Sequence, residues 1–293
     1  MTANVKTNFE YHVPQNVDET LSLLAQFGSD SRLIAGGTDL IPKIKSGILP
    51  FAHLVSLKSV KELTELSFDV KKGLVIGANT KLIDVERDET VRRLYPALAA
   101  GIHSMANTQV RNRGTVVGNV CNALPSADTV PALLVYGTLV KIRSAAGERT
   151  VPIEEFFTGV CRTVLQPDEM VTALVLPTPA EKAFSIYYKY TVRKALELAM
   201  IGVALNIVLG DEDIVKDAKL ALGAVAATPK RAWQAEQFVI GKKLTDDVIL
   251  ETAEIASQQD CTPISDIRAS ADYRREMVRV HVRDALRKAV EAK

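Results

Sequence analysis

The sequence predicts an α+β protein built in two parts, residues 1–177 and 180–293, and three observations carry that reading. The first sixty residues read as a small βαβ-like unit. The segment Leu176-Pro177-Thr178-Pro179 is a linker, because two prolines forbid regular structure between two periodic regions. Beyond it a run of strands gives way to a run of helices, the pattern of an antiparallel sheet covered by helices.

The elements follow in order. Asp18 can cap a first helix whose apolar stripe is Leu21, Leu23, Leu24 and Phe27, and Gly28 stops it. The strand Arg32-Leu33-Ile34-Ala35 then enters the turn Gly36-Gly37-Thr38-Asp39, and Leu40 to Lys45 looks helical. The strand from His53 to Leu57 closes a first subdomain of about residues 1–58.

The second subdomain, about 59–177, opens with a hairpin. Leu66, Phe68 and Val70 alternate, and Lys71-Lys72-Gly73 turns the chain into Leu74-Val75-Ile76. A glycine turn at 77–80 leads to a helical stretch from about Leu82 to Met105, interrupted near Pro96. That stretch ends in a turn segment at 108–119, and a helical pattern resumes from Asp128 to Tyr136. Strands at 138–143, 148–151 and 169–176 finish this part, which is two α/β subdomains in all. In the second part, strands are expected at 184–190, 199–209 and 214–226, and helices at 229–240, 245–258 and 269–291. Trp233 is expected to hold the first of these helices against the sheet. On the last helix Arg275, Arg279 and Arg283 share a face, read as a solvated stripe paired with Glu276 and Asp284 in preference to a docking face.

Composition removes several function classes. With 36 basic and 35 acidic residues the formal charge is +1, and 47% of residues are hydrophobic. That excludes a disordered tail and a strongly basic nucleic-acid binder. The longest nearly apolar run, Ala199 to Leu209, is interrupted by Gly202 and Asn206 and falls short of the ~20 residues of a membrane helix, so no membrane insertion is expected. The N-terminal segment carries no apolar signal, and Cys121, Cys161 and Cys261 are scattered, which together point to the cytoplasm. Three distant cysteines hold no iron–sulfur cluster. His12, His53, His103 and His281 are far apart in sequence without an HxxxH or HExxH spacing, so no metal site is expected. The cysteines read as buried structural thiols, with a place near a ligand open for Cys121.

The chemistry lies in three turns rich in glycine, asparagine and threonine: AGGTDL at 35–40, GANT at 77–80 and TVVGNVCNALPSAD at 115–128. Glycines let a backbone approach a ligand, and their N–H groups with Thr and Asn side chains form a nest for phosphate oxygens. One such turn is ordinary turn chemistry, but three suggest a long anionic cofactor. Neither GxxxxGK[ST] nor GxGxxG followed by an acidic residue about twenty positions on is present, so the P-loop and Rossmann solutions are absent. No acid/base cluster stands out, and no catalytic residue is assigned.

AGGTDL, then RNRGTVVGNVCNALPSADTVPALL at 111–134, then YKYTVRK at 188–194 resemble the FAD-binding medium subunit of the molybdenum hydroxylases, the xanthine dehydrogenase and carbon monoxide dehydrogenase family. The resemblance spans essentially the whole chain and implies a PCMH-type FAD-binding domain followed by the family's C-terminal domain. It implies that Arg32, Leu33, Ile34, Ala35, Gly36, Gly37, Thr38, Asp39 and Leu40 form a first FAD loop, with backbone amides and the Thr38 hydroxyl on the pyrophosphate. Thr115, Gly118, Asn119 and Ala123 match a second loop, and Asp128 falls where the family places an acid against FAD. Lys189 matches a lysine near the isoalloxazine, where positive charge favours reduced flavin. Met105 falls where some relatives carry an aromatic residue, and a thioether also packs on a ring. The chain lacks the cysteine-bearing insertion with which some relatives hold an extra [4Fe–4S] cluster, and Cys161 stands in a loop that relatives make of small residues.

The resemblance further implies an oxidoreductase subunit that carries FAD. It would take electrons from the [2Fe–2S] clusters of a small partner, in a complex with a molybdopterin-bearing large partner, and pass them to NAD or another acceptor. A free-standing FAD oxidoreductase and a flavin-less scaffold subunit are the competing readings.

Overall fold

The computed structural model describes residues 8–193 and 196–292. Part of the N-terminal segment read above, and Lys194 of the YKYTVRK motif, lie outside them.

The chain begins with β1 (Glu10–His12), α1 (Val17–Phe27), β2 (Ser31–Ile34), α2 (Leu40–Lys45) and β3 (His53–Ser56), which form a parallel sheet in the order β1-β3-β2. Parallel strands cannot be joined by a tight turn, so α1 carries the chain from β1 across to β2 and α2 from β2 to its neighbour β3. Helix α1 buries Val17, Leu21 and Leu24. Its cap is Asn16, whose side chain accepts from the Glu19 N–H at 2.8 Å; Asp18, expected in that role, sits in the first turn, where a carboxylate still favours the helix dipole. Gly28 ends the helix at φ 49°, with its N–H on the Leu24 carbonyl.

The second unit comprises β4 (Leu66–Asp69), β5 (Gly73–Gly77), α3 (Leu82–Arg87), α4 (Glu89–Leu94), α5 (Pro96–His103), α6 (Thr108–Arg111), α7 (Val116–Cys121), α8 (Val130–Val135), β6 (Leu139–Ser144), β7 (Gly147–Pro152), α9 (Ile153–Phe156), β8 (Phe157–Gly159), β9 (Arg162–Thr163) and β10 (Met170–Leu176). Five of its strands form an antiparallel sheet in the order β4-β5-β10-β6-β7. The stretch expected as one helix broken near Pro96 is three helices. Asp88 adds the first break, because its carboxylate caps α4 by accepting from the Val91 N–H at 2.9 Å. The turn segment at 108–119 also coils into α6 and α7, capped by Asn107 and Thr115.

The last part holds β11 (Ala183–Tyr190), β12 (Ile201–Leu209), β13 (Val215–Gly223) and β14 (Lys230–Arg231), an antiparallel sheet in chain order, followed by α10 (Trp233–Val239), α11 (Asp246–Gln258) and α12 (Ala271–Glu291). The helix expected from 229 starts at Trp233 because Lys230 and Arg231 pair with β13. Trp233 meets the sheet at its edge strand and stays outside the core: it is 48% exposed, with the buried guanidinium of Arg231 in β14 4.0 Å from its ring centroid. On α12, Arg279 and Arg283 pair with Glu276 and Asp284 as expected, whereas Arg275 turns onto the carbonyls of Ser257 and Cys261.

Two cores result. One is built on the five-stranded sheet with α3–α5, α7 and α8 and takes in Val17, Leu21 and Leu24 of α1, and the other lies between β11–β13 and α10–α12. Alternation along β12 splits it between them: Val203, Leu205 and Ile207 face the second core, while Ala204 joins the first. Tyr187 and Ala221 also belong to the first core, so the C-terminal sheet is covered on both faces. Among the described residues no helix is long and apolar enough to cross a membrane.

Candidate functional site

The ends of β2 and α7 and the loop between β9 and β10 surround a cavity of about 820 Å³. That is toward the upper end of the ~300–1,000 Å³ typical of ligand pockets. Its floor is the segment from Arg32 to Leu40, all nine residues of which line it. Gly36 is required by a crossing of chains: a Cβ there would lie 2.0 Å from the Arg113 carbonyl oxygen, so only glycine lets the two loops touch. Gly37 turns the backbone at φ 73°, a conformation glycine adopts without strain. Among the described residues, the N–H groups of Gly36, Gly37, Thr38 and Asp39 donate to no protein acceptor. Four consecutive free donors on a cavity wall are an anion cradle.

The second segment supplies the facing wall. Thr115, Gly118 and Asn119 line the cavity, and Gly118 is exposed to it. The Thr115 hydroxyl is engaged as the α7 cap, accepting from the Gly118 N–H at 2.9 Å. Asn119 Oδ1 accepts from the Thr129 hydroxyl at 2.7 Å, which leaves its amide N–H groups for a ligand. Ala123 is not among the lining residues. It is buried at φ 49°, and its carbonyl accepts from the Cys161 N–H at 2.9 Å, so it turns the chain and anchors the neighbouring loop. Of the three glycine turns, GANT contributes only Ala78 to the wall; Asn79 and Thr80 are held on the carbonyls of Leu57 and Glu65.

Asp128 lines the cavity, and Lys189 stands behind it. Lys189 Nζ donates to Asp128 Oδ2 at 2.8 Å and to the Ser104 carbonyl at 3.1 Å, and Tyr187 donates to Asp128 Oδ1 at 3.1 Å. Burial pushes the Asp128 carboxyl above its ordinary range, against the lowering effect of the ammonium. Lys189 is absent from the cavity lining and its charge is met by Asp128, so the pair offers a fixed dipole where a free cation was expected. Met105 lines the cavity, and its carbonyl is held by Arg111, which is itself paired with Glu86 at 2.8 Å.

Sequence reasoning missed Lys43. It lines the cavity from α2, and its Nζ donates to Asn122 Oδ1 at 2.6 Å, bridging the two glycine segments. Its signal was position: one helical turn beyond Asp39, it returns to the face of the turn. Of the cysteines, Cys161 departs from the expectation of buried thiols, while Cys121 takes the place near a cavity that was left open for it. Cys261 is buried, but Cys121 and Cys161 both line the cavity, and Cys161 is exposed at φ 55°. Desolvation pushes the Cys121 thiol up to about 12, which keeps it protonated and unreactive.

A cavity of this size, with a run of free amides, one bridging cation and apolar walls of Leu33, Met105 and Val171, has the room and the donors for an extended anionic ligand. Residues 7–179 match the FAD binding domain in molybdopterin dehydrogenase, and residues 186–289 match the CO dehydrogenase flavoprotein C-terminal domain. The chain belongs to this family: it is an FAD-binding oxidoreductase subunit of the molybdenum hydroxylase type. It is 33% identical over 286 residues to the putative xanthine dehydrogenase FAD-binding subunit of Escherichia coli K12, covering 96% of each chain. It is 34% identical over 272 residues to the glyceraldehyde dehydrogenase medium chain of Sulfolobus acidocaldarius, covering 93% of this chain and 95% of that one. Its fold matches a chain of the carbon monoxide dehydrogenase of Hydrogenophaga pseudoflava that lacks the Mo-pyranopterin moiety, with a TM-score of 0.92 at 32% identity over 97% of this chain and 98% of that one.

Proposed function

We propose that this chain is the flavin module of a multi-subunit molybdenum hydroxylase, carrying electrons from the [2Fe–2S] clusters of a small partner subunit to NAD or another acceptor. Substrate oxidation then belongs to a molybdopterin-bearing large subunit. The observation that supports the reading most is the run of unpaired N–H groups from Gly36 to Asp39 beside Lys43, which suits a pyrophosphate. When bound, FAD supplies redox chemistry that no side chain here offers. The protein's part is to hold and orient: Gly36, Gly37 and Thr38 amides with Lys43 on the phosphates, Thr115, Gly118 and Asn119 along the ribityl-adenosine, and Met105 beside the ring. Asp128, Tyr187 and Lys189 fix the wall next to it and exclude water. We divide the chain at Pro177–Pro179 into a flavin-binding part and a C-terminal part, and the three free thiols accord with the reducing cytoplasm.

A visible spectrum of the complex purified with its native partners, before and after anaerobic dithionite, tests this. Flavin bands that bleach over an iron–sulfur background, with FAD recovered on denaturation, are expected. An active complex without FAD overturns the reading and leaves a scaffold subunit.

A further inference from the structure

The edge of the first sheet gathers a second cluster, away from the cofactor cavity. Strands β1 and β3 run parallel, with Glu10 opposite His53 and His12 opposite Val55. Alternation puts Glu10 and His12 on one face of β1, and the register puts His53 on the same face of β3. His12 and His53 are 41 residues apart in sequence, yet His12 Nε2 lies 3.1 Å from His53 Nδ1. Glu10 Oε2 lies 3.8 Å from the first of these nitrogens and 3.5 Å from the second.

The geometry points to a binding site for a divalent zinc-class cation formed by Glu10, His12 and His53. Three donors around a tetrahedral ion with bonds of about 2.0–2.1 Å stand about 3.3–3.4 Å from one another. The observed edges of 3.1, 3.5 and 3.8 Å close on that triangle with small side-chain rotations. Two imidazoles and a carboxylate suit Zn²⁺ and leave the hard cations Mg²⁺ and Ca²⁺ without their oxygen set. The imidazoles are also held in place: the Phe27 ring stacks on His53 at 3.6 Å between centroids and 13° between planes, and lies 5.1 Å from the His12 ring. Both histidines are about four-fifths buried, whereas Glu10 is exposed, so the fourth position opens to water. None of the three lines the cofactor cavity. The ion would staple the edge strand β1 to the centre of its sheet.

The test uses the full-length protein, stripped with chelator and dialysed against ZnCl₂, with metal analysis and zinc-edge X-ray absorption. One zinc per chain is expected, with nitrogen and oxygen neighbours near 2.0–2.1 Å, and the melting temperature should rise with added zinc. His53→Asn should abolish binding. Glu10→Gln, at an exposed position that leaves packing intact, should weaken it by more than about tenfold and remove most of the thermal shift. Zinc uptake equal to that of a His12→Asn/His53→Asn double variant, or a Zn–S distance near 2.3 Å reporting capture by a cysteine, overturns the assignment.

Discussion

Lys43 Nζ stands 2.6 Å from Asn122 Oδ1, so the helix that follows the first glycine turn and the end of the second glycine segment are joined by one cation. The bond carries the only link between these segments that is both charged and directed at the cavity among the described contacts.

Replacing Lys43 by Met should therefore weaken FAD. A charge-assisted hydrogen bond contributes about 1.5–3 kcal/mol, which is roughly a tenfold to hundredfold loss of affinity. Flavin fluorescence released on dilution measures it, and the loss should shrink in high salt as the wild-type contact is screened. An unchanged dissociation constant in a folded variant would remove Lys43 from the phosphate site.

Gly36→Ala should fail for a steric reason. The added methyl meets the Arg113 carbonyl carbon and oxygen, which are backbone and cannot swing aside. The two loops must part, at a cost on the order of 1–3 kcal/mol. Urea denaturation with FAD content per chain reads both consequences, and full flavin occupancy at wild-type stability would contradict them.

The Asp128–Lys189 pair gives a prediction with a sign. Lys189→Met leaves a buried carboxylate facing only Tyr187, a loss of about 3–5 kcal/mol at neutral pH. Burial already raises the Asp128 carboxyl, so its stabilising form is the protonated one, present at low pH and lost as pH rises through the folded-state value. The variant's deficit should thus grow from acid to neutral pH, and Asp128→Asn added to Lys189→Met should recover most of it. Denaturation midpoints across pH decide; a deficit independent of pH would show that the ammonium acts by packing alone.

Glu169 has the opposite sign. The Arg149 guanidinium grips it through two contacts of 2.7 Å, and with the Gln166 N–H it holds the carboxyl below its ordinary range. Its contribution is present above the ordinary glutamate value and lost as pH falls through the lowered one. Glu169→Gln should cost about 0.5–1 kcal/mol near pH 7, since Arg149 is partly exposed, and nothing in strong acid. It should also loosen the loop between β9 and β10 on the cavity wall, seen as faster amide exchange at Thr163 to Gln166.

Much of this was legible in local pattern. The first glycine turn announced itself through a strand, a Gly-Gly and a helix, and the hairpin at Lys71–Gly73 through alternation. What stayed hidden depends on contacts distant in sequence. Asp88 and Thr115 cap helices that hydrophobic periodicity alone cannot separate from their neighbours. Lys189 looked like a free cation until the fold placed Asp128 against it. Gly36 looked like a ligand-facing glycine, yet its missing side chain makes room for Arg113. His12 and His53 meet only because two parallel strands align them, and no spacing rule encodes that.

The side chains that join the N-terminal and C-terminal parts have an evolutionary consequence. Tyr136 bonds Ser185 at 2.6 Å, the Asn206 amide donates to the Val135 carbonyl at 3.3 Å, and Tyr95 holds the carbonyls of both Leu176 and Pro177. The first two contacts have one member on each side of the linker. A gene that swapped its C-terminal half for that of a distant cousin would keep the Val135 carbonyl, which any residue supplies, but would strand the Tyr136 hydroxyl wherever the incoming residue lacks a hydroxyl like that of Ser185. The halves are therefore not freely interchangeable: position 136 and position 185 constrain each other's choice of residue.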